Sequence, residues 1–239
     1  MFIDVHSHVV PSGDDGVGSV EEGLSLCRQA ASRGTSVLYA TPHVWPHLGL
    51  EAGREHRIRD AHLRMAHEAA TFGLRLELGF EVTPKLELLD EDMQRYRLGD
   101  LPVVLVDMPF SGGLGLARRL ASHIVSCGLV PLLGHPERAD AVVEEPELAE
   151  GLHARGWLLQ VNASSLLGRH GSAPQEAGWR LVEETLCHAV ASDGHRQTRP
   201  PFLDEAYEAV KARIGSETDR LFDGSALAAR DGVDLAERR

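Results

Sequence analysis

Short, almost unbroken apolar runs alternate along the chain with longer stretches in which apolar residues recur every three or four positions. The runs are FIDV, SVLYA, LRLELGF, LPVVLVDM, VPLLG, WLLQVN and HAVAS. Each has the length of a strand, and most lack a polar face, as strands covered on both sides do. Between them the helical period predicts helices over 19–34, 51–72, near 115–127, near 145–155, near 174–187, and over 203–214 and 217–230. Ser19 is placed to cap the first, with Glu22 completing a capping box and Gly34 stopping it. Strand–helix alternation of this kind gives parallel strands joined by right-handed crossovers. About seven such units can close into a barrel, and an open doubly wound sheet is the alternative. No repeat, low-complexity tract or linker divides the 239 residues, so one domain over 1–239 is expected.

Composition narrows the function classes. The apolar fraction of 43 % and charged fraction of 25 % are ordinary globular usage. No apolar run approaches the roughly 18 residues of a membrane span, and the start of the chain does not read as a signal peptide. A cytoplasmic protein without membrane insertion is expected. A net charge of −12 with no basic stripe argues against extended nucleic-acid binding. Cys27, Cys127 and Cys187 lie far apart and have neither zinc-finger nor redox-pair spacing, which fits reduced thiols.

The informative residues stand directly after the apolar runs. FIDV leads into His6 and His8, SVLYA into His43, and LRLELGF into Glu81. VVLV leads into Asp107, VPLLG into His135, and HAVAS into Asp193 and His195. In parallel α/β folds the C-terminal strand ends share one face, so these distant residues can converge there. Residues i and i+2 of an extended segment point the same way, which lets His6/His8 and Asp193/His195 each present two ligands together. A single HxH or a lone strand-end His is weak evidence, more often a turn or a hydrogen-bonded core residue. The repetition at six strand ends favours metal. Mixed imidazole and carboxylate donors suit zinc, manganese or iron, and Glu81 could bridge two ions. His56, His62, His67, His123, His153 and His170 are expected in solvated helices or loops, and His188 begins a strand at the wrong end. His47 lies in the loop after His43.

Two arginines come soon after expected ligands: Arg138 in HPER and Arg199 in DGHRQTRPP. Guanidinium matches phosphate oxygens in bidentate geometry, so metals with arginines point to phosphoester hydrolysis. The C-x5-R spacing of Cys27 and Arg33 matches cysteine-dependent phosphatases, but it lies within a helical pattern without a glycine-bearing phosphate loop. Cys27 reads as a core residue.

With these residues assembled, the sequence resembles the polymerase-and-histidinol-phosphatase (PHP) superfamily. It is most similar to the bacterial manganese-dependent protein-tyrosine phosphatases encoded with capsule and exopolysaccharide genes. The resemblance rests on DVHSH, DDG, TPH, GFE, GHPER, QVNASS, ASDGH and RPP, in order along essentially the whole chain. It implies an α/β fold, a distorted (β/α)7 TIM-like barrel with three divalent ions at the strand ends. Manganese is the expected metal, with iron or zinc as alternatives. The matching ligands are His6, His8, Asp15, His43, Glu81, Asp107, His135, Asp193 and His195, and Arg138 and Arg199 match the phosphate-binding arginines. Asp107 stands where close relatives have the longer Glu. The implied substrate is the phosphotyrosine-bearing tail of a bacterial tyrosine kinase. A histidinol-phosphate-type phosphatase, a PHP-type nuclease and an inactive kinase-docking domain are the alternatives. Trp45 could either wall the tyrosine ring or pack on the barrel rim.

Overall fold

Each apolar run of the sequence forms a strand, and every strand pairing is parallel. The computed structural model describes residues 1–228. The strands are β1 (Phe2–Ser7), β2 (Thr35–Ala40), β3 (His43–Val44), β4 (Arg75–Leu78), β5 (Glu81–Val82), β6 (Val103–Asp107), β7 (Val130–Gly134), β8 (Leu158–Asn162) and β9 (Ala189–Ala191). They are ordered β1-β2-β4 in one sheet and β3-β5-β6-β7-β8-β9 in the other. The two sheets are one surface. β2 continues into β3 across Thr41–Pro42, where proline has no N–H to give the ladder. β4 continues into β5 across Gly79–Phe80. A Cβ on Gly79 would lie 2.5 Å from a Leu98 methyl carbon and 3.0 Å from the Leu98 Cα, so any larger residue here would force Leu98 to move. Counted as ribbons, the described residues form seven strands.

The ring closes between the first ribbon and the last. Asp193 N–H donates to His6 O at 2.9 Å, and His8 N–H donates to Gly194 O at 2.6 Å. The register of β1 shifts between Asp4 and Ser7. On the other side of β1, at the seam with the last ribbon, the Asp4 carboxylate accepts from Ser192 N–H (3.0 Å) and His6 N–H (3.3 Å). The open-sheet alternative is therefore excluded, and the chain is a distorted seven-stranded barrel.

The helices are α1 (Val20–Ser32), α2 (Ala52–Ala70), α3 (Gly115–Ser126), α4 (Asp140–Glu144), α5 (Glu147–His153), α6 (Ala163–Leu166), α7 (Ser172–Glu183), α8 (Asp204–Ile214) and α9 (Ser225–Ala228). Ser19 caps α1 by accepting from Glu22 N–H at 3.2 Å. Glu22 reaches back to Gly18 N–H at 2.8 Å, one residue earlier than a standard capping box. The helix expected over 217–230 is not continuous. Gly215–Leu221 is a 3-10 turn, and Gly224, at φ +73, separates it from α9. Positions 229 and 230 lie outside the described residues.

Packing divides into two layers. Val5, Val37, Tyr39, Leu105, Leu132, Leu158 and Ala191 fill the barrel interior. Leu26, Leu38, Met65, Leu120, Leu159 and Val190 belong to the larger layer between strands and helices. Along the inward face, apolar residues give way to polar ones toward each strand's end. The series are Val103, Leu105, Asp107 in β6, then Leu158, Gln160, Asn162 in β8, then Ala189, Ala191, Asp193 at β9. Side chains two apart share a face, so this gradient places a polar layer on an apolar plug.

Candidate metal centre

The nine expected ligands meet in that polar layer. His6 Nδ1 lies 2.9 Å from Gln160 Oε1. The amide oxygen can only accept, so it fixes the proton on Nδ1 and aims the Nε2 lone pair at the centre. Nε2 of His6 lies 3.2 Å from Glu81 Oε2, 3.4 Å from Asp193 Oδ1 and 3.2 Å from His8 Nε2. His8 Nε2 is 3.3 Å from the same Glu81 oxygen and 3.5 Å from Asp193 Oδ1. The other Glu81 oxygen faces His135 Nε2 at 3.0 Å, and Asp107 Oδ1 is 3.6 Å from that nitrogen. His43 Nδ1 reaches Glu81 at 2.9 Å. Asp15 Oδ1 lies 3.2 Å from His195 Nε2 and 3.6 Å from His43 Nε2.

Three overlapping groups have metal-ligand spacing: His6/His8/Glu81, His43/Glu81/Asp107, and His8/Asp15/His43/His195. Asp107 reaches its group despite being a methylene shorter than Glu. Thr83 Oγ1 holds its other oxygen by donating at 2.7 Å.

The donor set fits divalent cations. Glu81 Oε2, His8 Nδ1, His43 Nδ1 and His135 Nδ1 are buried without a hydrogen-bond partner. Glu81 Oε2 has three imidazole nitrogens within 3.3 Å and bonds to none of them with hydrogen-bond geometry. A buried carboxylate oxygen facing three imidazole nitrogens in this way is costly unless a cation or protons satisfy it. Burial alone would raise the Glu81 carboxyl, yet His6 and His43 hold it well below its ordinary value. Asp193 is likewise held low, against burial, by His6, His8 and Arg199. His135 is pushed up to about 9: burial opposes this, and Glu81 and Asp107 outweigh it. Burial and the neighbouring Glu81 charge raise Asp107.

Two of the expected ligands sit in strained backbone. His135 has φ +40 and Asp193 φ +51, a region costing a non-glycine residue about 1–3 kcal/mol. The His135 turn is held by His135 N–H to Gln160 O (2.8 Å) and Arg138 N–H to His135 O (2.9 Å). The turn is what sends the His135 ring inward although it comes after the glycine that ends β7.

A shell of partners orients the expected ligands. Gln160 Nε2 donates to Asn162 Oδ1 at 2.8 Å, and Asn162 Nδ2 donates to Asp193 Oδ2 at 2.9 Å. Asp14 accepts from His43 N–H at 2.9 Å and lies 3.6 Å from His8 Nδ1. In the DDG loop, Asp15 faces the cluster and Asp14 supports it. His195 Nδ1 is 2.8 Å from Asp193 O, and Arg199 crowds the same nitrogen. A ring that donates to the carbonyl cannot also accept from Arg199. We assign the proton to the carbonyl bond, because it leaves Nε2 aimed at Asp15.

Arg138 and Arg199 flank Asp193, at 3.5 Å from Oδ2 and 3.8 Å from Oδ1 respectively. Among the described residues, most of their guanidinium donors have no partner beside the expected ligands. The Arg138 guanidinium also lies 4.3 Å above the Phe110 ring.

A family model described as "Capsular polysaccharide synthesis, CpsB/CapC" matches residues 2–225. The chain belongs to the CpsB/CapC family. Among CpsB/CapC relatives, tyrosine-protein phosphatase YwqE of Bacillus subtilis is 30 % identical over 90 % of this chain and 86 % of its own length. Tyrosine-protein phosphatase CpsB of Streptococcus agalactiae is 29 % identical over 92 % of this chain and 95 % of its own. A solved structure from work on YwqE and Streptococcus pneumoniae CpsB, described as metal-dependent tyrosine phosphatases, superposes with TM-score 0.84 at 27 % identity. It covers 95 % of this chain and 93 % of that one. The CpsB/CapC assignment and the barrel agree with the resemblance read from the motifs.

Sequence reasoning missed several residues of this site. Gln160 and Asn162 belong to the QVNASS motif, but their contacts with His6 and Asp193 were not legible there. Phe110, half exposed at the rim, had no signal at all. Among the histidines expected in solvent, His56 and His67 are exposed, whereas His62, His123, His153 and His170 are partly buried. His62 Nε2 bonds Leu76 O at 3.0 Å and His123 Nε2 bonds Glu91 O at 2.8 Å. His170 Nδ1 lies 2.9 Å from Ser165 Oγ, which itself donates to the buried Glu137 at 2.7 Å. Each of these three rings meets a partner that helical periodicity does not reveal. Cys27 is buried, with its thiol pushed up to about 12 by burial, so the C-x5-R spacing is incidental.

Proposed function

We propose that this chain is a metal-dependent tyrosine-protein phosphatase of capsular polysaccharide synthesis, acting in the cytoplasm on the phosphotyrosine-bearing tail of a tyrosine kinase. The observation that carries the reading is the convergence of nine ligand-capable side chains with Arg138 and Arg199 beside them. Relatives in the same family are tyrosine-protein phosphatases. Among the described residues no helix is long and apolar enough to cross a membrane, which fits an enzyme that meets its partner's tail in water.

His6, His8, Asp15, His43, Glu81, Asp107, His135, Asp193 and His195 would hold three divalent ions, manganese being the proposed metal. When bound, such ions act as Lewis acids that bring a water's pKa toward neutrality and offset phosphoryl charge. Arg138 and Arg199 grip two non-bridging phosphoryl oxygens and stabilise the charge that builds on them in the transition state. Asp193 lies within 4 Å of both guanidinium groups and would hold them on the same side of the cluster. Gln160, Asn162 and Asp14 fix ring and carboxylate orientations so that little rearrangement is needed during turnover. No thiol takes part.

The test is turnover of a phosphotyrosine peptide by the metal-loaded protein, beside histidinol phosphate and single-stranded DNA. Activity on the peptide should vanish in EDTA, return with manganese and survive iodoacetamide. Preference for histidinol phosphate or DNA would reassign the substrate. Inactivation by alkylation with indifference to EDTA would overturn the mechanism.

A further inference from the structure

We propose that Phe110 is the platform that receives the aryl ring of the substrate, and that it sets preference for aryl over alkyl phosphoesters. The inference rests on the phosphatase reading above and names what selects the ester group.

Phe110 is 50 % exposed, and it is the one aromatic ring among the exposed large hydrophobic side chains of the described residues. It stands at the mouth of the ligand cluster. Its ring centroid is 5.4 Å from that of His135, and the Arg138 guanidinium lies 4.3 Å from its centroid. The ring is therefore a neighbour both of a ligand and of a phosphate-binding cation, with half its surface open. A phosphoryl group held by Arg138 brings its ester oxygen, and whatever that oxygen carries, next to this open surface. An aromatic leaving group finds a partner ring there, whereas an alkyl one does not.

The backbone supports a fixed ring on an adaptable loop. Phe110 O accepts from Asp140 N–H at 2.8 Å, pinning the residue to the start of α4. Beyond it, Gly112 (φ +82) and Gly113 have open space where side chains would be, so the loop leaves room for a peptide. Trp45 is the other aromatic residue of the rim, but its ring already packs against His43 (4.5 Å) and His47 (5.3 Å). That contact makes Trp45 a rim residue first.

The test compares phenylphosphonate with methylphosphonate as non-hydrolysable ligands of the manganese-loaded protein, measured calorimetrically. It also compares kcat/KM for phenyl phosphate with that for β-glycerophosphate. The wild type should prefer the phenyl compound in both. Phe110→Ala should lower both aryl-to-alkyl ratios about tenfold, the size of an aromatic pair plus partial burial, and Phe110→Tyr should restore them. Equal losses for both compounds would mean that Phe110 only props Arg138, and a wild type without phenyl preference would exclude an aryl platform. A selective loss in Trp45→Ala but not in Phe110→Ala would move the platform to Trp45. A protein that prefers phenylphosphonate through Phe110 yet hydrolyses no phosphoester would leave this assignment standing and overturn the phosphatase reading instead.

Discussion

Replacing Gln160 by leucine tests whether the apolar-to-polar gradient of the barrel builds the metal centre. Gln160 is fully buried. Its oxygen faces His6 Nδ1 at 2.9 Å and its nitrogen donates to Asn162 at 2.8 Å. Leucine has similar bulk and neither polar atom. The substitution leaves two buried groups unpaired, at about 1–3 kcal/mol each, partly offset by the apolar side chain. Metal-free protein should therefore lose on the order of 2–4 kcal/mol in urea unfolding measured in EDTA. The His6 ring also becomes free to turn or change tautomer, which should weaken manganese binding by roughly 10- to 100-fold. Calorimetric metal titration of chelator-treated protein measures this directly. Gln160→Glu keeps the oxygen that faces His6 and should recover much of the affinity. Unaltered manganese affinity in a folded Gln160→Leu protein would refute the claim that this amide sets His6.

Arg138→Ala should keep manganese bound but lower kcat/KM on a phosphotyrosine peptide by about 10²–10³, whereas His6→Ala should lose metal and turnover together; metal analysis beside kinetics separates the two. Burial, then the Arg138 and Arg199 charges, depress His170 to about 4. A histidine with a depressed pKa favours the folded state above its unfolded value near 6.5, and that contribution fades as pH falls toward 4. Nuclear magnetic resonance should find the His170 ring neutral at pH 6, and its pKa should rise when inorganic phosphate neutralises the two arginines. A pKa indifferent to phosphate would argue against anion binding there. Gly23→Ala should destabilise despite alanine's better helix propensity, by about 1–3 kcal/mol in chemical unfolding. The added Cβ would lie 2.1 Å from Val9 O and 2.6 Å from a Met65 methyl carbon. A stabilised variant would show that α1 can shift away from Val9 and α2.

Much of this architecture is legible in the sequence because both signals are local. Seven apolar runs mark the ribbons, and a His, Asp or Glu directly after most of them marks the common face. The legible part of the centre is the part attached to strand ends. The rest is tertiary. Asp4 looks like one more candidate ligand beside His6, but it is spent on the seam of the barrel. Asp14 and Asp15 are indistinguishable neighbours until the loop turns one toward His195 and the other under His8. The inward aim of His135 depends on a left-handed backbone that no residue type announces. Phe110 acquires meaning only from Arg138 and His135, which approach it from other segments.

The closing seam has a consequence for synthesis. His6 and His8 lie near one terminus and Asp193 and His195 are almost two hundred residues away, and hydrogen bonds between those two segments complete the ring. On the ribosome the earliest pair can meet Glu81 before the last strand emerges, but not Asp193 or His195. A truncated or stalled chain would have an open barrel and a depleted ligand set together. The full set of ligand-capable side chains is thus assembled only when the last ribbon is in place.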